Sequence, residues 1–236
     1  MIKHAKDRLI VALDVPTPND ARKLIQELGG NVGVYKIGLE LLFAGGVPLM
    51  EKLIETGHKV FVDAKLLDIG NTVERAVTNI ARLGATFLTI HGTDRKTMDA
   101  AVKGRGNSDL KLLAITVLTN LQHNDLAEQG ITMSGEKLVR HRAKMAEEAG
   151  FDGVVASGLE AAKIRSDCHP GFNIVTPGIR PEWADAGDQA RIVTPAKAIS
   201  QGADYIVIGR PITQAVDPLK ATMMVIEEIE SAVQKK

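Results

Sequence analysis

The sequence predicts a single (β/α)8 barrel, with residues 1–236 forming one catalytic domain. Three observations carry this. Short apolar, β-branched runs recur along the chain, eight in all. Helix-like amphipathic segments lie between them, as in a parallel sheet covered by helices. The glycine fingerprint that marks a doubly wound nucleotide-binding sheet does not follow the first run; GRGNSD at 104–109 lacks the third glycine and precedes a strand.

The eight runs are RLIVALD (8–14), VGVYKIG (32–38), KVFVDAK (59–65), TFLTIHG (86–92), LKLLAITVL (110–118), GVVAS (153–157), NIVTPG (173–178) and DYIVIG (204–209). After the first, Leu24, Ile25 and Leu28 share one side of a helix that starts at Pro18 and is stopped by Gly29 and Gly30. After the third, NTVERAVTNIARLG predicts a helix with Asn71 as N-cap and Glu74 at the capping-box position. Met133 to Gly150 and Ala215 to Val233 read as longer amphipathic helices. Eight strand-plus-helix units in a chain of 236 residues fit a barrel fold whose usual size is about 250.

Composition narrows the function. The chain is 44% hydrophobic and 25% charged, with 29 basic and 29 acidic residues, so no net field draws it to nucleic acid or an anionic membrane. Any bound anion must be gripped locally. No apolar stretch reaches the roughly 18 residues of a membrane span, and the charged start MIKHAKDRLIVALDV does not read as a signal peptide. A single cysteine, Cys168, fits a reducing cytosol, and a cytoplasmic location is expected. The six histidines show no HExxH spacing and there is no cysteine pair, so no metal is expected.

In a barrel, chemistry sits at the carboxyl ends of the strands. Asp14, Lys36, Asp63, Lys65, Thr116 and Thr119 are the polar residues there. Each has a plain alternative: Asp14 before Val-Pro can be a turn residue, and Lys36 can snorkel. Their convergence on one rim favours a site. Side chains two apart on a strand share a face, so Asp63 and Lys65 point the same way, into the barrel mouth. Asp68 lies beyond the strand and off that face, serving another surface, with a second subunit as one candidate. A lysine between carboxylates keeps its ammonium form, which suits a proton donor or a cation facing a developing carbanion, and not a Schiff-base nucleophile. His91, at the fourth strand end, is expected to be a hydrogen-bonded structural residue. Barrels often bind phosphate on the loops after strands seven and eight. TPGIRP (176–181) and IGRPIT (208–213) stand there, with Gly178 and Gly209 allowing backbone approach and Arg180 and Arg210 offering charge and fork geometry.

FVDAKLLDIGNTV (61–73), together with VALD, VYKIG, TVLTN, TPGIRP, GDQARIVTP and IGRPIT, closely resembles the bacterial orotidine 5'-phosphate decarboxylases over about residues 8 to 220. The resemblance implies a cofactor-free homodimer with shared active sites that converts orotidine 5'-monophosphate to UMP in pyrimidine biosynthesis. It further implies that Lys36, Asp63, Lys65 and the partner subunit's Asp68 form an alternating charged network, in which Lys65 protonates C6 and Asp63 lies near the departing carboxylate. Asp14 and Lys36 resemble ribose ligands, with Ile69 and Thr72 reaching across the dimer. Thr119 resembles the pyrimidine contact, and Pro177, Arg180, Gln189, Gly209 and Arg210 fall among the substrate-binding positions, with Arg180, Gln189, Gly209 and Arg210 as the phosphate grip.

The chain departs from many relatives at Gly70, where they have proline; no reacting group changes. The nearest rivals are the magnesium-dependent sugar-phosphate decarboxylases and hexulose phosphate synthases, which share D-x-K-x-x-D but typically carry a metal-binding glutamate in the region of Lys36. A non-catalytic phosphate-sugar sensor is a rival of another class; it has no need of Lys65 between two acids.

Overall fold

A computed structural model describes residues 2, 4–184 and 193–234 of the chain. Eight parallel strands close into a barrel in chain order: β1 Leu9–Ala12, β2 Val34–Gly38, β3 Lys59–Leu66, β4 Phe87–His91, β5 Lys111–Ile115, β6 Gly153–Val155, β7 Asn173–Thr176 and β8 Tyr205–Ile208. β8 pairs with β1, Val11 opposite Ile208, so no sheet edge is left. Seven of the strands are stretches of the runs read from sequence, trimmed where the chain bends into loops, while β3 extends one residue past its run, to Leu66. Asp14, read as the end of the first strand, lies two residues past it, and Thr119 lies in the turn after β5.

Strand alternation sorts the core into two layers. Ile10, Val34, Phe61, Phe87, Leu113, Val175 and Val207 fill the barrel interior, where Phe61 and Phe87 meet edge to face at 5.9 Å. The alternate residues, among them Leu9, Ile37, Val62, Leu88 and Ile174, pack outward against the helices. Counting upward by twos from the interior layer predicts what caps it. Ile10 leads through Ala12 to Asp14, Val34 to Lys36, Phe61 to Asp63, and Phe87 to Thr89 and His91. The polar site therefore sits directly on the apolar barrel core.

The helices end where their sequences say they should. Pro18–Leu28 is capped by the Thr17 side chain, which accepts from the Asp20 N–H; Gly135–Ala149 is capped by Ser134 and closed by Gly150 at φ 89°. The C-terminal helix, Pro218–Gln234, starts three residues after the predicted Ala215. One expectation fails. The helix after β3 runs Gly70–Leu83, with Ile69 as its N-cap, so Asn71 is already in its first turn. The cause is local: the Ile69 carbonyl accepts from the Thr72 and Val73 N–H groups and so starts the ladder earlier. Glu74 does not reach back as a capping box; it pairs with Lys103 at 2.9 Å on the next helix. Among the described residues no helix is long and apolar enough to cross a membrane.

Candidate active site

The rim carries a line of alternating charges. Lys36 Nζ stands 2.9 Å from Asp14 Oδ1 and 3.4 Å from Asp63 Oδ2, and Lys65 Nζ stands 2.8 Å from Asp63 Oδ1. Lys36 and Asp63 are buried, Lys65 is half-buried and Asp14 is exposed, so the two inner members sit on the core and the two ends reach solvent. Burial alone pushes the Asp63 carboxyl up. Lys36 and Lys65 outweigh it, aided by hydrogen bonds from Lys65 and Thr89, and hold Asp63 below the usual carboxylate range. The array also explains a glycine: a Cβ on Gly38 would fall 2.9 Å from Lys36 Nζ and 3.0 Å from Asp14 Oδ1. Lys36 Nζ occupies the space between two carboxylates, the position a divalent cation would want.

Asp63 and Lys65 do meet, but not through a regular strand. Val62 pairs with Leu88 and the next pairing is Leu66 with Ile90, so three residues of β3 stand opposite Thr89 alone. Within this bulge Lys65 has φ 46°, the left-handed region, and it is the only non-glycine residue there among those described.

A cleft of about 600 Å³ opens over the array, lined by Asp14, Lys36, Asp63, Lys65, Pro177, Gly178, Arg180, Gly209 and Arg210. The loops after β7 and β8 thus bring both arginines to the cleft that holds the lysines, as their sequence position implied. Gly178 has φ 73°, which a side chain would resist. Arg180 is buried and Arg210 exposed. A smaller, mostly apolar cavity of about 160 Å³ adjoins, sharing Lys36, Asp63, Lys65 and Pro177 and adding Phe61, Ile115, Val117 and Thr119. A charged wall and an apolar slot side by side suit a planar ring bearing an anionic group.

Other predicted residues fall elsewhere. Asp68, Ile69 and Thr72 are exposed and line neither cavity; Asp68 Oδ1 accepts from the Ile69 N–H at 2.6 Å. Thr116 is not a cleft residue: its hydroxyl donates to the Val155 carbonyl at 2.9 Å and its own carbonyl accepts from Arg142, so it ties β5 to β6. Gln189 lies outside the described residues. The His91 ring makes no hydrogen bond among the described residues, contrary to expectation. Burial first, then the nearby Lys65 and Arg142, lower its pKa and favour the neutral imidazole.

Sequence reasoning missed Thr89, Glu40 and Gln214. Thr89 was within reach, as the one polar residue inside the otherwise apolar FLTI of β4, at the inward parity of Phe87. Glu40 and Gln214 line the cleft from the segments after β2 and β8, where sequence gave no inward parity to count.

Comparison with known proteins agrees with this geometry. The model of the "Orotidine 5'-phosphate decarboxylase / HUMPS family" matches residues 7–225. An orotidine 5'-phosphate decarboxylase of Rhodopseudomonas palustris (strain BisB5) is 53% identical over 227 residues, 96% of each chain. One from Methylobacterium nodulans is 51% identical over 230 residues, 96% of this chain and 97% of that one. The crystal structure of orotidine 5'-phosphate decarboxylase from Lactobacillus acidophilus superposes with a TM-score of 0.83 at 36% identity, covering 94% of this chain and 98% of that one. With a family match over residues 7–225 and relatives at half identity, the chain belongs to the orotidine 5'-phosphate decarboxylase / HUMPS family.

Proposed function

We propose that this chain decarboxylates orotidine 5'-monophosphate to UMP and carbon dioxide, in de novo pyrimidine biosynthesis, with Lys65 as the acid that protonates C6. The observation that carries this reading is the Asp14–Lys36–Asp63–Lys65 line at the mouth of an apolar barrel. When the C6–carboxylate bond breaks, carbon dioxide leaves and its bonding electron pair stays on C6. The Lys65 ammonium, fixed against Asp63, stabilises that pair and then gives C6 a proton. The amine left behind regains a proton from solvent, so each turnover consumes one proton.

The remaining assignments follow the cleft. Asp14 and Lys36 take the ribose hydroxyls, Asp63 lies beside the departing carboxylate, and Thr119 with Pro177 borders the pyrimidine slot. Arg180, Gly209 and Arg210 grip the phosphate, joined by Gln189. The chain works as a single catalytic domain, in the cytoplasm, as a homodimer whose Asp68, Ile69 and Thr72 complete the partner's site. The exposure of those three residues and of Phe43 and Leu67, on the segments that follow the adjacent strands β2 and β3, supports the shared interface. Sedimentation showing only monomers at assay concentrations overturns it.

The test is loss of orotate absorbance in EDTA. Wild type is expected to turn over fully, which a magnesium-dependent sugar-phosphate enzyme or a mere sensor does not do. Lys65→Ala is expected to bind UMP without detectable turnover; near-normal turnover rules out Lys65 as the acid.

A further inference from the structure

The bulge in β3 is what delivers Lys65 to the cleft, and something must hold it in that shape. Asp63, Ala64 and Lys65 stand opposite Thr89 alone, and Lys65 takes a left-handed backbone that its Cβ disfavours. The Lys65 N–H, which has no ladder partner there, donates to Thr89 Oγ1 at 2.9 Å. The Thr89 hydroxyl in turn donates to Asp63 Oδ1 at 2.9 Å, the same oxygen that receives Lys65 Nζ at 2.8 Å. Both ends of Lys65, backbone amide and ammonium, are thereby closed into one ring through Thr89 and Asp63.

We propose that Thr89 is a positioning residue for the decarboxylation: its hydroxyl stitches the bulge shut and aims the Lys65–Asp63 pair at the reacting carbon. This rests on the reading of Lys65 as the acid. The hydroxyl is suited to the task because it accepts and donates at once. With the Lys65 N–H on one lone pair, its proton is directed at Asp63, so the carboxylate cannot rotate without breaking the ring. Thr89 is fully buried, so water has no route to replace either bond. Thr89 does not itself touch the cleft, as neither cavity counts it among its walls.

The experiment compares Thr89→Val, which keeps the shape and loses the hydroxyl, with Thr89→Ser, which keeps the hydroxyl. Thr89→Ala is the second hydroxyl-free variant should valine fail to fold. Kinetics are read beside Tm and beside hydrogen exchange at the Lys65 amide. Loss of a hydrogen bond to a charged group predicts a fall of about 10- to 100-fold in kcat for Thr89→Val, with KM little changed. The Lys65 amide is expected to exchange faster in the valine and alanine variants, and serine is expected to restore both readouts. Wild-type kcat in Thr89→Val, serine as slow as valine, or a loss of activity that merely follows the unfolded fraction overturns the proposal. If the wild type does not decarboxylate the nucleotide, the reaction assignment falls instead. Amide exchange then still decides whether Thr89 holds the bulge.

Discussion

Both ends of this barrel carry aspartates paired with basic residues, yet the two ends put them to opposite ends. At the amino-terminal face Asp152 immediately precedes β6 and Asp204 immediately precedes β8. Asp152 Oδ2 accepts from the Leu112 N–H at 2.9 Å and from Arg105 at 2.7 Å. Asp204 repeats the device two strands later, accepting from the Ile174 N–H at 2.9 Å and from Arg165. Arg165 also donates to the carbonyls of Pro170, Phe172 and Gly202. Here the fixed fork of an arginine and the backbone of a neighbouring strand absorb the charge. At the carboxyl-terminal rim the partners of Asp63 are lysines, each with further donors and a cavity in front of it. The same ion-pair chemistry fastens the fold at one face and stays available to a ligand at the other.

Single substitutions can break that contrast. The largest effect on rate is the loss of turnover in Lys65→Ala, and its Tm is expected to stay near the wild-type value. Arg165→Ala should do the reverse. Removing four hydrogen-bonded contacts is expected to cost about 2–4 kcal/mol, or roughly 5–15 °C in Tm, while kcat of the folded enzyme is unchanged. Calorimetry and initial rates on the two variants check this; a large Tm loss in Lys65→Ala, or a kcat loss in Arg165→Ala, erases the distinction.

Asp63→Asn sharpens it through pH. The folded-state pKa of Asp63 lies below its ordinary value, so its ionised form contributes stability above the unfolded pKa of about 4. That contribution is lost as pH falls through the folded value. Wild type should therefore lose stability more steeply than Asp63→Asn below about pH 4, measured by denaturant unfolding. Parallel curves would show that the two lysines do not hold the carboxylate ionised. At the loops after β7 and β8, proposed to grip phosphate, Arg210→Ala is expected to damage use of the phosphorylated substrate far more than use of the bare nucleoside, read as kcat/KM on each. Equal losses would place Arg210 outside the grip.

The contrast also marks what could be read from sequence. Strand positions and the inward placing of Lys36 and Asp63 follow from the period of two, and the arginine loops follow from their place after the seventh and eighth runs. All of these are short-range signals. Lys65 reaches the same cleft, but through a bulge that this period does not contain. What failed depends on contacts between segments. Asn71 and Glu74 fit a capping box by spacing, but the Ile69 carbonyl and Lys103 decide otherwise. Thr116 has the right position, one residue past β5, and is claimed by the Val155 carbonyl. The bulge at Thr89 needs the register of β3 against β4, which no run of residues states by itself. After β2, Gly45 takes φ 90° and Phe43 is almost wholly exposed, features no periodicity foretells.

The smallest expected effect lies between the charged rim and the helix behind it, at Gly70. It is the first residue of the Gly70–Leu83 helix, a position where proline loses no intrahelical hydrogen bond and its fixed φ suits the helix start. Ile69 before it has φ −58° and ψ 143°, the extended conformation that a residue preceding proline prefers. A Cβ at Gly70 would sit 3.4 Å from the Ala100 Cβ, ordinary contact, so the site has room. Glycine here therefore holds only extra freedom in the unfolded chain. Gly70→Pro is expected to stabilise the protein by about 0.4–1 kcal/mol through that entropy, raising Tm by a few degrees with kcat unchanged. A lowered kcat would mean that the Asp68–Gly70 segment must move during turnover, and that the rim draws on freedom which the fastened face of the barrel does without.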